Sequence, residues 1–137
     1  MNIFLRCAWL LPALMLLVAG AAGAADPVNL TGTWTGTARY YAKGVGFKEQ
    51  KYTLVIEEQH GPIFKGKQTY LSSRVQERLT QELAGVIGED GQTILLTGPG
   101  DGQMSGRIDG PDRMILRFVS PANTLPSAAF IEVTRGR

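Results

Sequence analysis

The chain is poor in the residues that most often announce a function. It has one cysteine, Cys7, and one histidine, His60, among 137 residues. Cys7 falls in an N-terminal segment read below as a leader, so the remainder carries no disulfide and no thiolate for catalysis or metal binding. His60 sits in Gln59-His60-Gly61-Pro62, a turn on this reading, and nothing places a nucleophile and an orienting acid around it. A clustered charge of one sign is missing too. Lys and Arg number 14 and Asp and Glu 12, without a basic stripe, which argues against nucleic acid as the main partner. Glu89, Asp90, Asp101, Asp109 and Asp112 are spread over three loops and lack the converging oxygens of a calcium site. Glu57 and Glu58 are adjacent on an expected strand, so they are expected on opposite faces and not as a carboxylate pair. No catalytic residue, metal or cofactor is expected, and the chain reads as a non-enzyme.

What is present begins with the N-terminus. Arg6 precedes an uncharged stretch from Cys7 to Ala25, with an apolar centre from Ala8 to Val18 and a tail of small residues. Basic, apolar and small-residue regions in that order make a secretory signal, with cleavage expected after Ala24 or Ala25. Pro12 and the Ala/Gly tail fit a spanning helix poorly, so no stable membrane anchor is expected after cleavage. Residues 1–25 are thus a signal peptide and residues 26–137 one domain, periplasmic or secreted from a bacterial cell. About 110 residues without a disulfide must hold together through their core.

Beyond Asp26 the pattern alternates. Thr31 to Tyr40 puts Thr or Arg at every odd position and Gly, Trp, Gly, Ala and Tyr at the even ones. Period two places one face inward and one outward. The same alternation marks strands over Lys51–Glu58, Ile63–Tyr70, Glu82–Ile87, Gln92–Leu96, Gln103–Ile108, Arg113–Val119 and Ala128–Arg135. Gly, Asp and Pro between them supply hairpin turns. Eight short strands with close turns predict an all-β, eight-stranded antiparallel up-and-down barrel. Gly85 to Leu96 echoes Gly106 to Arg117, 21 residues on, as two hairpins of one meander. Ser72 to Leu83 also fits a helix, with Val75, Leu79 and Leu83 spaced by four, but the meander needs a strand there.

At Leu30-Thr31-Gly32-Thr33-Trp34 the chain resembles the calycin superfamily, which includes lipocalins, avidins, fatty-acid-binding proteins and small bacterial protease inhibitors. Those barrels open on a G-x-W strand, and a basic residue of the last strand lies across the tryptophan. Gly32, Trp34 and Arg135 occupy those places here, and the resemblance implies that they close one end of the barrel. Thr53 to Gly61, Gly85 to Leu96 and Gly110 to Leu116 further resemble small exported bacterial proteins of unknown function with an avidin-like barrel. Avidins line their biotin site with several tryptophans. Residues 26–137 contain only Trp34, in the structural position, so biotin is not expected.

Tyr40, Tyr52, Phe64, Tyr70, Met104, Met114 and Phe118 are the large residues expected inside, with Gly36, Ala38, Gly66, Gly85 and Gly106 among them. An eight-stranded barrel either fills with side chains or holds one small ligand, and this pattern suits both. The ligand contacts expected are Tyr40, Tyr52, Gln68, Tyr70 and Phe118. The primary functional expectation is binding of a small apolar or amphipathic ligand at the end opposite Trp34 and Arg135. The alternative is a protein-interaction module, such as an inhibitor of an exported protease or hydrolase, with contacts from the Lys43-to-Gln50 and Pro121-to-Pro126 loops. Val55, Val86, Leu95, Ile115 and Phe130 are apolar in the outward phase and would serve a homo-oligomer.

Overall fold

The computed structural model describes residues 26–72, 75–100, 102–120 and 126–136. The expected signal peptide lies outside the described residues, as do residues 121–125 of the last expected contact loop. Eight strands follow in chain order: β1 (Gly32–Ala42), β2 (Gly46–His60), β3 (Ile63–Leu71), β4 (Arg78–Ile87), β5 (Thr93–Thr97), β6 (Gln103–Ile108), β7 (Arg113–Ser120) and β8 (Ser127–Arg135). Each pairs antiparallel with the next, and β8 returns to β1, so the sheet is a closed barrel. The all-β, up-and-down expectation holds, and the architecture is consistent with a calycin-like fold.

The strand favoured over a helix across Ser72 to Leu83 is present from Arg78 onward as β4, whose register with β3 runs from Leu71↔Arg78 to Ile63↔Val86. Two other features differ from the sequence reading. Much of the expected Lys43-to-Gln50 loop is strand, because β2 begins at Gly46 and pairs with β1 from Ala42↔Gly46 onward. That leaves a turn of three residues, Lys43 to Val45.

The second difference is a bulge. The β2–β3 register runs through Ile56↔Gly66 and resumes at Glu58↔Lys65, so Glu57 is the extra residue. A bulge shifts the side-chain phase of the strand that carries it. Glu57 and Glu58 therefore both face outward, contrary to the opposite faces expected of neighbours. Glu57 pairs with Lys67 at 3.3 Å and Glu58 with Lys65 at 3.0 Å. His60, exposed at the strand end, sits 2.6 Å from Glu58. The same shift turns Gln59 inward beside Phe64.

The interior divides in two. Around the starts of β1, β3, β5 and β7 it is filled. Trp34, Ile56, Phe64, Ile94, Met114 and Val133 are buried there, and Leu30 of the approaching segment covers the end. Burying each aliphatic or Phe side chain of this kind contributes about 1.5–3 kcal/mol. Two inward glycines let the wall coil this tightly. A Cβ on Gly36 would lie 1.8 Å from the Glu132 carbonyl oxygen, and one on Gly66 would lie 1.9 Å from that of Val55. Close backbone approach of this kind is what a strand glycine permits.

The closed end carries the Gly32, Trp34 and Arg135 arrangement. Trp34 and Arg135 are register partners, and the guanidinium carbon lies 4.4 Å from the indole centroid. Arg135 donates to the carbonyls of Thr31 at 3.0 Å and Asn29 at 2.7 Å. The Trp34 indole N–H donates to the Leu30 carbonyl at 2.9 Å. Gln59 completes the seal: it accepts from the Leu30 N–H and donates to the Val28 carbonyl, each at 2.8 Å.

Outside, Glu132 of β8 bridges Arg39 of β1 at 2.7 Å and Arg113 of β7 at 2.8 Å, across the closing seam. The Arg113 hydrogen bond is the main reason its carboxyl is held below the ordinary range. A lowered carboxylate contributes stability that is present above its unfolded value and is lost as pH falls through the folded one. Glu58 and Asp90 are lowered as well and act in the same direction. The melting temperature is expected to fall as pH drops below the ordinary carboxylate range. Glu132→Gln should flatten that dependence without abolishing it, as thermal melts across an acid pH series would record. Ile115, expected as an outward contact, is only 8% exposed. It stands between Arg107 and Glu132 in the register, so the surface closes over it.

Candidate functional site

The other half of the barrel is hollow. A cavity of about 530 Å³ opens among the ends of β1, β3, β5 and β7, away from Trp34 and Arg135. That is within the ~300–1,000 Å³ range of small-molecule pockets. Tyr40, Tyr52, Gln68, Tyr70 and Phe118, the ligand contacts expected from sequence, all line this one cavity. Phe64 and Met114 are instead packed in the filled half.

The walls have two characters. One wall, from β2, β3 and β4, carries the polar side chains Gln50, Tyr52, Gln68, Tyr70 and Gln81, with Leu79 and Leu83 on either side of Gln81. The opposing wall presents Ala38, Leu96, Met104, Phe118, Ala129 and Ile131. Alternation explains both: each residue is an even number of positions from a buried apolar neighbour on its own strand. Gln50 and Gln81 were missing from the sequence-derived set. Gln50 is in phase with Tyr52, and Gln81 with Leu83, so extending the alternation past the apolar stretch would have found them.

The polar wall is ordered by hydrogen bonds. Tyr52 donates to Gln68 Oε1 at 2.7 Å, and Tyr70 to Gln81 Oε1 at 2.9 Å. Burial, with Tyr70 adding to it, pushes the Tyr52 hydroxyl well above its ordinary value, so it remains a donor. The Met104 sulfur lies 3.9 Å from the same hydroxyl. Gln50 has a different task. Its Nε2 donates to the Leu71 carbonyl at 3.1 Å, and its Oε1 accepts from the Leu71 N–H. The β2–β3 backbone register stops at Thr53↔Thr69, so the Gln50 side chain continues the ladder where the strands part.

These pairings decide what the cavity offers. The carbonyl oxygens of Gln68 and Gln81 each accept from a tyrosine, so their Nε2 amides remain as donors toward a guest. Among the described residues the lining contains no Asp, Glu, Lys, Arg or His. A charged guest would meet no counter-charge among these described lining residues, which disfavours it. The arrangement suits a neutral molecule with an apolar body and an acceptor-bearing edge. Trp34, which the biotin question turned on, is fully buried at the other end. Among the described residues no three of His, Cys, Asp and Glu gather as metal ligands. No protein-family model matches the chain, and no curated protein matches it.

Proposed function

We propose that this protein is an exported binding barrel that holds a small neutral amphipathic ligand in its open half. The observation that carries the reading is the two-sided cavity, with Gln68 and Gln81 amides on one wall and Met104, Phe118 and Ile131 on the other. The ligand's acceptor edge, a carbonyl or ether, meets the amides, and its apolar body lies against the far wall. The calycin-like placing of Gly32, Trp34 and Arg135, and the resemblance to small exported bacterial proteins with an avidin-like barrel, fit this reading. The wall's chemistry is that of recognition, so we read a binder rather than an enzyme. The protease-inhibitor alternative has less support, because residues 46–50 of one proposed contact loop are paired strand.

Native mass spectrometry on the protein recovered gently from its own host tests the proposal. The expected result is a discrete added mass that denaturation releases. Ala129 is the residue to alter. It lies on β8 between Tyr40 and Phe118 in the register. Ala129→Trp puts an indole into the open half and is expected to abolish the added mass while cooperative unfolding persists. A bare wild-type mass from the native host would sink the proposal.

A further inference from the structure

The outer face beside the cavity mouth is layered. Across β2, β1, β8 and β7 the register aligns Phe47, Tyr41, Ala128 and Val119 in one row at the rim. Phe47 is 86% exposed and Val119 57%. The Phe47 ring packs at a tilt against Tyr41, centroids 5.0 Å apart. The next row, two residues further from the rim, is Glu49, Arg39, Phe130 and Arg117. Two residues of strand span about 7 Å. Arg39 lies 5.6 Å from the Phe130 ring centroid. Lys43 adds an exposed cation in the β1–β2 turn just beyond the rim row, and Lys48, opposite Tyr40 in the register, adds one at the mouth. Arg39 is paired with Glu132 at 2.7 Å and Glu49 stands beside it, whereas among the described residues Lys43 and Arg117 form no ion pair, so the free cations of this face are those two.

We propose that this face docks on an anionic lipid bilayer. An apolar row in front of a cationic row, separated by a few ångströms, matches the acyl boundary and the headgroup layer of such a surface. A second copy is the poorer occupant, because two-fold pairing of this face would set its cations against one another. The face also adjoins the mouth: Tyr40, Phe118, Ala128 and Ala129 line both the cavity and the outer groove. Docking therefore brings the mouth to the bilayer, where a neutral amphipathic molecule would enter or leave. That last step rests on the ligand-binding reading, and the docking does not.

Co-sedimentation with vesicles tests the proposal, using equal parts phosphatidylglycerol and phosphatidylcholine against phosphatidylcholine alone. The wild-type protein is expected to sediment with the anionic vesicles only and to be released by high salt. Phe47→Ser and Arg117→Glu should each weaken the partition about 10-fold or more. Both sites are exposed, so melting temperature and the ligand mass should not change. A wild-type protein that stays in the supernatant overturns the docking, as does undiminished binding by Phe47→Ser. A dimer that Phe47→Ser dissociates overturns it too, because a second copy would then cover the face. The two readings fail separately. Vesicle binding without a ligand mass upholds the docking and removes the pocket reading, and a ligand mass without vesicle binding removes the docking alone.

Discussion

Trp34→Ala is expected to lower the free energy of unfolding by about 4 kcal/mol, within the range for a fully buried large aromatic. Urea titration of the folded domain measures it directly. The change leaves a void under the closed end that its neighbours cannot fill without breaking β1–β8 pairs. It also removes the indole N–H bond to Leu30 and the surface against which Arg135 lies. A domain of this length is stable by only ~5–15 kcal/mol in total. The variant should therefore unfold cooperatively but at a denaturant concentration far below that of the wild type. Trp34→Phe keeps most of the volume and loses the hydrogen bond and part of the stack, so its loss should be clearly smaller. Equal losses in the two variants would show that the void contributes nothing and that polar contacts hold this end.

Gly66→Ala is the second large effect, and its mechanism is opposite. Here a single methyl is added. The Cβ would fall 1.9 Å from the Val55 carbonyl oxygen and 2.9 Å from its carbon. These are backbone atoms of the neighbouring strand, so no side chain can swing aside to relieve the contact. The β2–β3 ladder must open beside the bulge, and overpacking of this kind costs ~3 kcal/mol or more. Gly85→Ala is the instructive comparison. Its Cβ would meet Phe64 Cζ at 2.3 Å and, more mildly, the Leu95 carbonyl oxygen at 2.9 Å, and the Phe64 side chain can swing about its Cα–Cβ bond where a ladder carbonyl cannot move. Denaturant midpoints for both variants should place Gly66→Ala well below Gly85→Ala. A reversed order would mean that the ring in the filled half is more tightly fixed than the backbone ladder.

The sequence patterns that proved readable are those with a local cause. Alternation through Trp34, Ala38, Tyr52, Leu54, Phe64 and Met104 follows from the pleat, so the inward set was visible before any pairing was known. The features that stayed hidden depend on how strands meet. Nothing in Ile56-Glu57-Glu58-Gln59 announces a bulge, because the bulge follows from its register with β3. Both glutamates outside and Gln59 inside follow from that one step. The echo between Gly85–Leu96 and Gly106–Arg117 aligns Ile94 with Ile115, yet one is inward and the other outward. The β4–β5 connection has five residues and the β6–β7 connection four, which reverses the phase. At the site, the inward aromatics Tyr40, Tyr52, Tyr70 and Phe118 were legible by phase. The Tyr52–Gln68 and Tyr70–Gln81 pairs were not, because each is a contact between strands.

The seam between β1 and β8 also governs the order in which the molecule can be made. These strands are the first and last of the barrel, and their ladder joins Trp34 to Arg135 and Ala42 to Ser127. All other ladders join neighbours in the chain and can form as hairpins. A chain that emerges N-terminus first can thus assemble β1 to β7 as an open, curved sheet with two unpaired edges. Such edges invite pairing with other chains. Closure waits on nine residues at the far end, and it is the step with the longest loop to draw together. Truncation just before Ser127 would therefore leave a sheet prone to self-association, even though seven of its eight strands are intact.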